Sequence, residues 1–344
     1  MNQDMSSVKQ FVKEWMLPIA MTVGAAAYLI YYFMPEPVHA AGPVLNRIVA
    51  IVQPLMLFAM LFLTFCKIEP RELRPHRWHW PLLLIQGGIF VCLGALIVLF
   101  KSRFPVEEHS WIVLIESAML CFICPTATAA AVVTRKLGGD VPGITTYTIL
   151  INLLVAFLVP AVVPMVHPQE GVTFWVAFCM ILAKVFPLLI MPCLCAWLLR
   201  YLFPKAHKYL ISKPDLPFNI WAVSLALAIA VTVKFIVHSQ LSILLMGMIA
   251  MVSLLCCAAQ FALGRMVGSW YGQKTRRHDK RITAGQALGQ KNTVFSIWMG
   301  YTFMTPETSI VGGFYSIWHN LYNSFQLRHS CCSRKSRHGG VGNE

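Results

Sequence analysis

The chain has 344 residues, of which 57% are hydrophobic and only 12% are charged, and its formal net charge is +14. Because soluble domains carry about 25% charged residues, this composition excludes a soluble globular protein and indicates a polytopic membrane protein. The basic residues lie in short clusters between apolar runs, as topology signals do, and no nucleic-acid-binding motif accompanies them. The lipid bilayer is therefore an expected partner, and nucleic acid is not.

In chain order, ten apolar runs of about 20 residues are each long enough to cross a bilayer. They lie near 15–34, 45–66, 79–100, 110–135, 141–166, 172–200, 216–237, 240–268, 282–304 and 307–326. Residues 1–14 form a short N-terminal segment, and residues 327–344 form a basic tail that we expect to be disordered. The sequence thus predicts an all-α membrane protein with ten transmembrane helices.

The positions of the lysines and arginines predict the orientation. With the N-terminus inside, nearly all of those that lie outside the predicted spans fall in inner segments. Both termini are therefore predicted to be cytoplasmic. The short loops and the absence of eukaryotic targeting motifs favour a bacterial inner membrane.

Ten spans divide into five plus five, 15–167 and 168–326, and an odd number per half predicts an inverted-topology repeat. Each half then needs an interrupted span at the same place. The fourth span carries "CPTATAAAVV", with Pro125 in its interior, and the ninth carries "GQALGQKN", with Gly285 and Gly289. Proline removes a helix hydrogen bond and paired glycines loosen a helix, so both segments are predicted to be unwound crossings.

Strongly polar side chains concentrate in these two crossings. They are Thr126, Thr128, Gln286, Gln290, Lys291 and Asn292. Helix ends and freed carbonyls can bind ions and substrate charges inside the membrane, so the residues form a candidate substrate and ion site. The alternative is that the threonines bond to their own helix and the amides bond to neighbouring spans.

Three charged residues inside the predicted spans need an explanation. Lys291 lies near the bilayer midplane, where a charge costs about 3 kcal/mol on insertion scales. Glu116, in the outer half of the fourth span, is either its counter-ion or hydrated near the headgroups, and its outer position favours hydration. Lys184 either extends along a tilted helix to the interface or belongs to a site, and both interpretations stay open.

Enzyme signatures are absent from the sequence. It contains no HExxH, GxSxG, P-loop or aspartate-rich metal motif, and only 14 acidic residues, mostly in loops. We therefore expect no catalytic activity, no ATP-driven mechanism and no cofactor beyond a coupling ion.

Three segments together resemble the sodium/bile-acid symporter family. They are "CPTATAAAVVTRKLGGD" (124–140), "ALGQKN" (287–292) and "GGFYSIWHN" (312–320). The resemblance implies a panel domain of spans 1, 2, 6 and 7, a core domain of spans 3–5 and 8–10, and an organic anion as substrate, usually driven by sodium. It also implies site roles for Gln86, Thr148, His319 and Asn320, which stand at motif positions of the family.

Other positions depart from the family pattern. Where the family has Ser-Asn, this chain has Ala130 and Ala131, and aligning the ninth span on Gly289 and Asn292 puts Ala287 at the family's glutamate. The same alignment puts Lys291 at the family's glutamine, and a one-residue shift would instead bring Gln286 and Gln290 near these places. Neither register supplies a carboxylate, so two sodium sites are not expected. The remaining weak sodium candidates are Gln86, Thr148 and Gln290.

The expected function is secondary transport of a small or amphipathic organic anion by alternating access, with Lys291 standing in place of a coupling cation. Either Lys291 stays charged while the anion is exchanged or moves by uniport, or its proton is the coupling ion. One alternative is a sodium-coupled symporter, and another is a receptor or scaffold that binds without transporting. The substrate, the direction of transport and assembly as a homodimer stay open.

Overall fold

The computed structural model describes residues 19–35, 42–103, 109–168, 170–213, 216–238, 241–272 and 277–338. This part of the chain is helical, with short connections. The helices are α1 (Ile19–Tyr32), α2 (Gly42–Cys66), α3 (His79–Arg103), α4 (His109–Ile123), α5 (Ala130–Leu137), α6 (Val141–Val166), α7 (Phe174–Leu189), α8 (Met191–Leu202), α9 (Pro204–Ile211), α10 (Leu216–His238), α11 (Ile243–Tyr271), α12 (Arg277–Gly289), α13 (Thr293–Phe303) and α14 (Ile310–His338).

Five of these helices are individually long and apolar enough to cross a membrane, namely α2, α3, α6, α10 and α11. A sixth span results if α7 and α8, which are bent by 43° at the break between them, count as one. The architecture is that of an all-α membrane protein. The count of ten spans stays a prediction, because the fourth and ninth predicted spans consist of shorter helices and the described part of α1 has fourteen residues.

The last helix is longer than expected. It continues to His338, whereas the sequence analysis placed a disordered tail from 327 onwards. No proline or glycine interrupts the chain between 314 and 338, so nothing local ends the helix before Gly339 and Gly340. Residues 1–14 and 339–344 lie outside the described residues.

The chain forms two compact units. One comprises Met1–Lys67 with Pro187–Leu241, and the other comprises Ile68–Phe186 with Ser242–Glu344. The first unit contains predicted spans 1, 2 and 7, and the second contains spans 3–5 and 8–10. This is the grouping that the family resemblance implied, except that the sixth span is divided at Pro187.

In the first unit, α2 packs against both α8 and α10. The carbonyl of Cys66, at the end of α2, lies 2.8 Å from His207 Nε2 and 3.4 Å from Arg200 Nη2. Gly24 of α1 lies so close to α10 that a Cβ there would be 2.1 Å from the carbonyl oxygen of Ala226. These contacts join α2 to α8 and α9, and α1 to α10.

In the second unit, the closest helix pair is α11 with α12. Gly264 and Gly268 of α11 face the backbone of α12, since a Cβ would lie 2.4 Å from the oxygen of Ala284 or 2.3 Å from that of Lys280. On the α12 side, Gly289 packs against the ring of Phe261 in the same way. Small residues four positions apart allow such close backbone approach in membrane proteins. This packing holds α12 close against α11, up to the break in the ninth span.

Candidate functional site

Two breaks in the helices of the second unit lie side by side. The first separates α4 from α5 at Cys124–Ala129, and the second separates α12 from α13 at Gln290–Asn292. Thr126 and Lys291 form an isolated antiparallel bridge between them. Its hydrogen bonds run from the Ala127 N–H to the Gln290 carbonyl (2.9 Å) and from the Asn292 N–H to the Pro125 carbonyl (2.8 Å). The interruptions fall where the sequence predicted them, and pairing satisfies the backbone groups that the helices leave free.

The two residues of this bridge each donate to the end of the opposite helix. Lys291 Nζ donates to the Phe122 carbonyl in the last turn of α4, at 3.2 Å. Thr126 Oγ1 donates to the Ala287 carbonyl in the last turn of α12, at 2.7 Å. The C-terminal end of a helix carries partial negative charge, so an ammonium is favoured there. Each break thus donates one side-chain hydrogen bond to the helix end at the other break. Of the two donors, only the lysine is an ionisable group.

Lys291 is buried, with 1% of its surface exposed. The thiols of Cys121 and Cys124, near the end of α4, and of Cys256 and Cys257 on α11 are near enough to interact electrostatically with its ammonium. Within the described part of the chain no carboxylate forms an ion pair with Lys291. Among the described residues, the Lys291 amino group is therefore accompanied by a carbonyl and by thiols, and by no carboxylate.

Side-chain donors occupy all four successive carbonyls at the end of α4. Those carbonyls belong to Cys121, Phe122, Ile123 and Cys124. Gln260 Nε2 donates to the first at 3.1 Å, and Lys291 donates to the second. Gln86 Nε2 donates to the last at 2.9 Å and approaches the third at 3.5 Å. The carbonyls that a broken helix would offer to an ion are therefore already hydrogen-bonded to the protein.

Side chains also donate hydrogen bonds to backbone carbonyls at and just after the end of α12. The Tyr315 hydroxyl, from α14, donates to the Gly289 carbonyl at 2.8 Å. The Cys124 thiol donates to the Asn292 carbonyl, also at 2.8 Å. Asn292 itself begins α13, because its side chain accepts a hydrogen bond from the Phe295 N–H at 3.3 Å. Helix ends from both halves of the chain are therefore joined by side chains at one place.

The three weak sodium candidates differ in what their oxygens do. The Gln86 amide oxygen accepts a hydrogen bond from the Tyr147 hydroxyl at 2.9 Å. Thr148 Oγ1 donates to the Ile144 carbonyl of its own helix at 2.9 Å. Gln290 is 2% exposed, and its amide oxygen has no hydrogen-bond partner among the described residues. Of these three candidates, Gln290 alone has a buried side-chain oxygen without a hydrogen-bond partner among the described residues.

The other predicted site residues are more scattered. Gln286 belongs to an amide cluster with α14, where its Nε2 donates to Asn323 Oδ1 at 2.9 Å. His319 is buried against the Tyr315 ring, with centroids 5.7 Å apart. Asn320 donates to the Ser316 carbonyl of its own helix at 2.6 Å, and Thr128 is half-buried. The structure thus brings Gln86, Thr126, Gln290, Lys291 and Asn292 together at the crossing.

Three residues at the crossing were missed by the sequence analysis: Tyr147, Gln260 and Tyr315. Gln260 had a usable signal, because it is a strongly polar residue within the apolar run of α11, as Gln86 is within α3. Tyr315 lies inside the motif "GGFYSIWHN", and Tyr147 lies beside Thr148. For both tyrosines the sequence offers only their position next to other site residues. The sequence of a membrane span does not show which group a tyrosine hydroxyl contacts.

Glu116 differs from the expectation. It is fully buried, so it is not hydrated near the headgroups, and it is not the counter-ion of Lys291. Its Oε1 lies 2.7 Å from His167 Nε2 at the end of α6, and its Oε2 accepts a hydrogen bond from the Thr305 N–H at 3.1 Å. Lys184 of α7 places its ammonium 5.7 Å from the centre of the Phe303 ring, a cation–π contact.

Membrane-length apolar helices, together with two interrupted helices paired at their breaks, define a helical membrane transporter of the broken-helix type. Residues 17–330 match the sequence model of the SBF-like CPA transporter family, and the chain belongs to this family. This match covers nearly the whole chain and confirms the resemblance to bile acid:sodium symporters that the motifs indicated. No curated protein matches the sequence.

Proposed function

We propose that the protein is a secondary transporter of a small or amphipathic organic anion in which Lys291 takes the place of a coupling cation. The observation that carries this proposal is the contact of the Lys291 ammonium with the Phe122 carbonyl at the paired breaks, without a carboxylate partner among the described residues. A buried charge without a compensating partner is costly, so its retention points to function.

The fixed ammonium argues against two bound sodium ions. Two unit charges about 4 Å apart repel by roughly 4 kcal/mol at the effective dielectric constant typical near a protein surface. A sodium ion at the crossing would also have to share carbonyls that already accept from Gln86, Gln260 and Lys291. The hydrocarbon side chains of Ala130, Ala131 and Ala287 supply no further oxygen.

Two mechanisms are compatible with this site. In the first, the ammonium is permanent and balances an anionic substrate, which is exchanged or moves by uniport. In the second, the proton of Lys291 leaves and returns during the cycle and is itself the coupling ion. The dependence of uptake on an imposed pH gradient distinguishes them, because only the second predicts accumulation driven by protons.

The proposal is tested first on the purified protein. Its melting temperature is measured in sodium chloride and in choline chloride at matched ionic strength. Because a ligand that binds only the folded state raises apparent stability with concentration, we expect no difference between the two salts. A rise specific to sodium would contradict the replacement of the coupling cation by Lys291.

A second test measures counterflow of labelled organic anions, among them carboxylates and sulfates of small and amphipathic kinds, in proteoliposomes. Counterflow that does not require sodium supports transport. Saturable binding without counterflow would instead assign the chain as a receptor or scaffold on a transporter fold.

A sodium-coupled symporter is the second candidate, and one observation favours it. The buried amide oxygen of Gln290 has no hydrogen-bond partner among the described residues, so it is available to a cation. If the melting temperature does rise in sodium, Gln290→Leu should abolish that rise, because the substitution removes this oxygen and keeps an apolar side chain of similar length.

We also propose that both termini are cytoplasmic and that the membrane is a bacterial inner membrane. The concentration of lysine and arginine in alternate loops supports the orientation, and the short loops without eukaryotic targeting motifs favour the bacterial membrane. The orientation is tested with a cysteine-free variant into which a single cysteine is introduced, either in place of Arg77 or in place of Arg47. A membrane-impermeant reagent is then added from outside. Only the cysteine at position 47 should react with a membrane-impermeant reagent.

A further inference from the structure

A cavity of about 500 Å³ in the second unit lies between α11, α12 and α14, and its lining includes Cys257, which also lies near Lys291. Its walls combine apolar and aromatic side chains with two guanidinium groups. The residues that matter here are Ala258, Phe261, Arg265, Arg281, Trp318 and Tyr322. The arginines come from the C-terminal part of α11 and the N-terminal part of α12, so both belong to the same end of this helix pair.

Neither guanidinium forms an ion pair with a described residue. Arg265 is half-buried and lies over the Tyr322 ring, 5.2 Å from its centre. Arg281 is exposed. In the described part of the chain the ion pairs are Lys280 with Asp140 and His167 with Glu116, and neither arginine takes part in one. Two neighbouring guanidinium groups without a carboxylate favour an anion with several oxygen acceptors, which their planar donor forks can bind.

The rest of the cavity favours an acyl chain. Ala258 is exposed on the wall of α11, and the neighbouring Leu255 on α11 and Leu321 on α14 are 61% and 59% exposed. In a protein of this family such apolar helix surfaces face the hydrocarbon of the bilayer. The cavity therefore offers an apolar wall along the helices and positive charge at one end.

We propose that this cavity binds an anionic phospholipid, with its phosphate between Arg265 and Arg281 and an acyl chain along the wall at Ala258. Basic pockets between transmembrane helices bind the headgroups of anionic lipids. A zwitterionic lipid fits less well, because its quaternary ammonium would approach the same two guanidinium groups. The proposal concerns lipid binding and does not depend on the transported substrate or on Lys291.

The test measures the melting temperature and apparent affinity of the purified full chain in a neutral detergent. The probes are short-chain phosphatidylglycerol and phosphatidylcholine with identical acyl chains. We expect stabilisation that increases with phosphatidylglycerol concentration and little effect of phosphatidylcholine. Arg265→Gln and Arg281→Gln should each weaken the apparent affinity for phosphatidylglycerol about tenfold, since each removes a charge-assisted hydrogen bond.

Two further variants make the test specific. Arg77→Gln removes an exposed arginine that does not line the cavity, and its response to phosphatidylglycerol should equal that of the wild type. Ala258→Trp keeps both guanidinium groups but fills the wall, so it should weaken lipid binding even if the arginine variants fail to fold.

Inorganic phosphate and glycerol 3-phosphate supply the headgroup chemistry without the acyl chain. If either stabilises the protein as strongly as phosphatidylglycerol, the cavity is a site for a small anion and the lipid assignment is overturned. Equal stabilisation by both lipids, or a full response to phosphatidylglycerol in both arginine variants, would also overturn it.

Discussion

Two lysines of the second unit, Lys280 and Lys291, are held in different ways. Lys280, in the first turns of α12, forms an ion pair with Asp140 and places its ammonium 5.9 Å from the centre of the Trp78 ring. Lys291, just beyond the end of the same helix, contacts a carbonyl and interacts with thiols. The more buried lysine is therefore the one without a counter-ion among the described residues.

This difference fits a structural role for Lys280 and the role that we propose for Lys291 in transport. The Lys280 side chain is 17% exposed and joins α12 to the start of α6, where Asp140 also caps the helix by accepting from the Gly143 N–H at 3.0 Å. Its charge is neutralised locally and holds two elements together. Lys291 forms no ion pair with a described residue, and under our proposal its charge balances that of an anionic substrate.

The largest expected effect is on transport in Lys291→Met. Methionine has a similar length without the charge, so we expect at least about a tenfold loss of anion exchange, equivalent to about 1.4 kcal/mol of lost stabilisation. We expect no loss of melting temperature, because replacing a buried charge by a packed apolar side chain is often neutral or stabilising. Counterflow and thermal unfolding are measured on the same preparation.

Lys184→Met is the matched control, because it removes another lysine from a predicted span while leaving the paired breaks intact. Exchange in this variant should stay near the wild-type rate. Wild-type exchange in Lys291→Met would show that the uncompensated charge is not part of the transport cycle.

The next effect is on stability, in Gln86→Leu. This substitution removes the donor to the Cys124 carbonyl and the acceptor of the Tyr147 hydroxyl, leaving both groups buried without partners. We expect a loss of about 1–2 kcal/mol, the range for interhelical hydrogen bonds in model membrane peptides. Tyr147→Phe, which removes one hydrogen bond, should cost about 0.6 kcal/mol. Equal losses in the two variants would indicate that the Gln86 bond to the α4 end contributes nothing.

A smaller effect on stability is expected for Lys280→Met. It leaves Asp140 without its ion-pair partner, and because both side chains are partly exposed the cost should be about 0.5–1 kcal/mol. A double-mutant cycle with Asp140→Asn isolates the pairwise interaction. Lys280→Met should thus destabilise the protein, whereas Lys291→Met should not. Destabilisation of both to the same degree would remove the distinction between the two lysines.

The breaks at the crossing could be predicted from the sequence because their causes are local. Pro125 cannot continue a helix, and the run from Gly289 to Asn292 combines a helix-loosening glycine with a side chain that caps the next helix. The interruption of both spans therefore needed no knowledge of neighbours. The same holds for the capping of α6 by Asp140.

The partners of the buried polar groups could not be predicted in this way, because they come from distant parts of the chain. Glu116 was expected to be hydrated, yet it meets His167, which is 51 positions further along the chain, at the end of another helix. Likewise, the family resemblance implies a site role for Gln86, but its acceptors at the α4 end are set by tertiary packing. A polar residue within an apolar helix indicates that it needs a hydrogen-bond or ion-pair partner, but the sequence of that helix does not identify the partner.

The smallest expected effect concerns the pH dependence of the Lys280 pair. Burial raises the pKa of Asp140, but the hydrogen bonds from Lys280 and from the Gly143 N–H lower it more, so the pKa lies below its usual value of 3.8. Because the folded-state pKa is the lower one, the carboxylate stabilises the fold above about pH 4 and this contribution is lost as the pH falls through the folded-state pKa. Thermal unfolding of the wild type and Asp140→Asn should therefore differ at pH 6 and converge toward pH 3. In a Lys280→Met background the stability difference caused by Asp140→Asn should be smaller, because Asp140 then keeps only its hydrogen bond from the Gly143 N–H. A stability difference that does not depend on pH in the wild-type background would contradict the lowered pKa of Asp140.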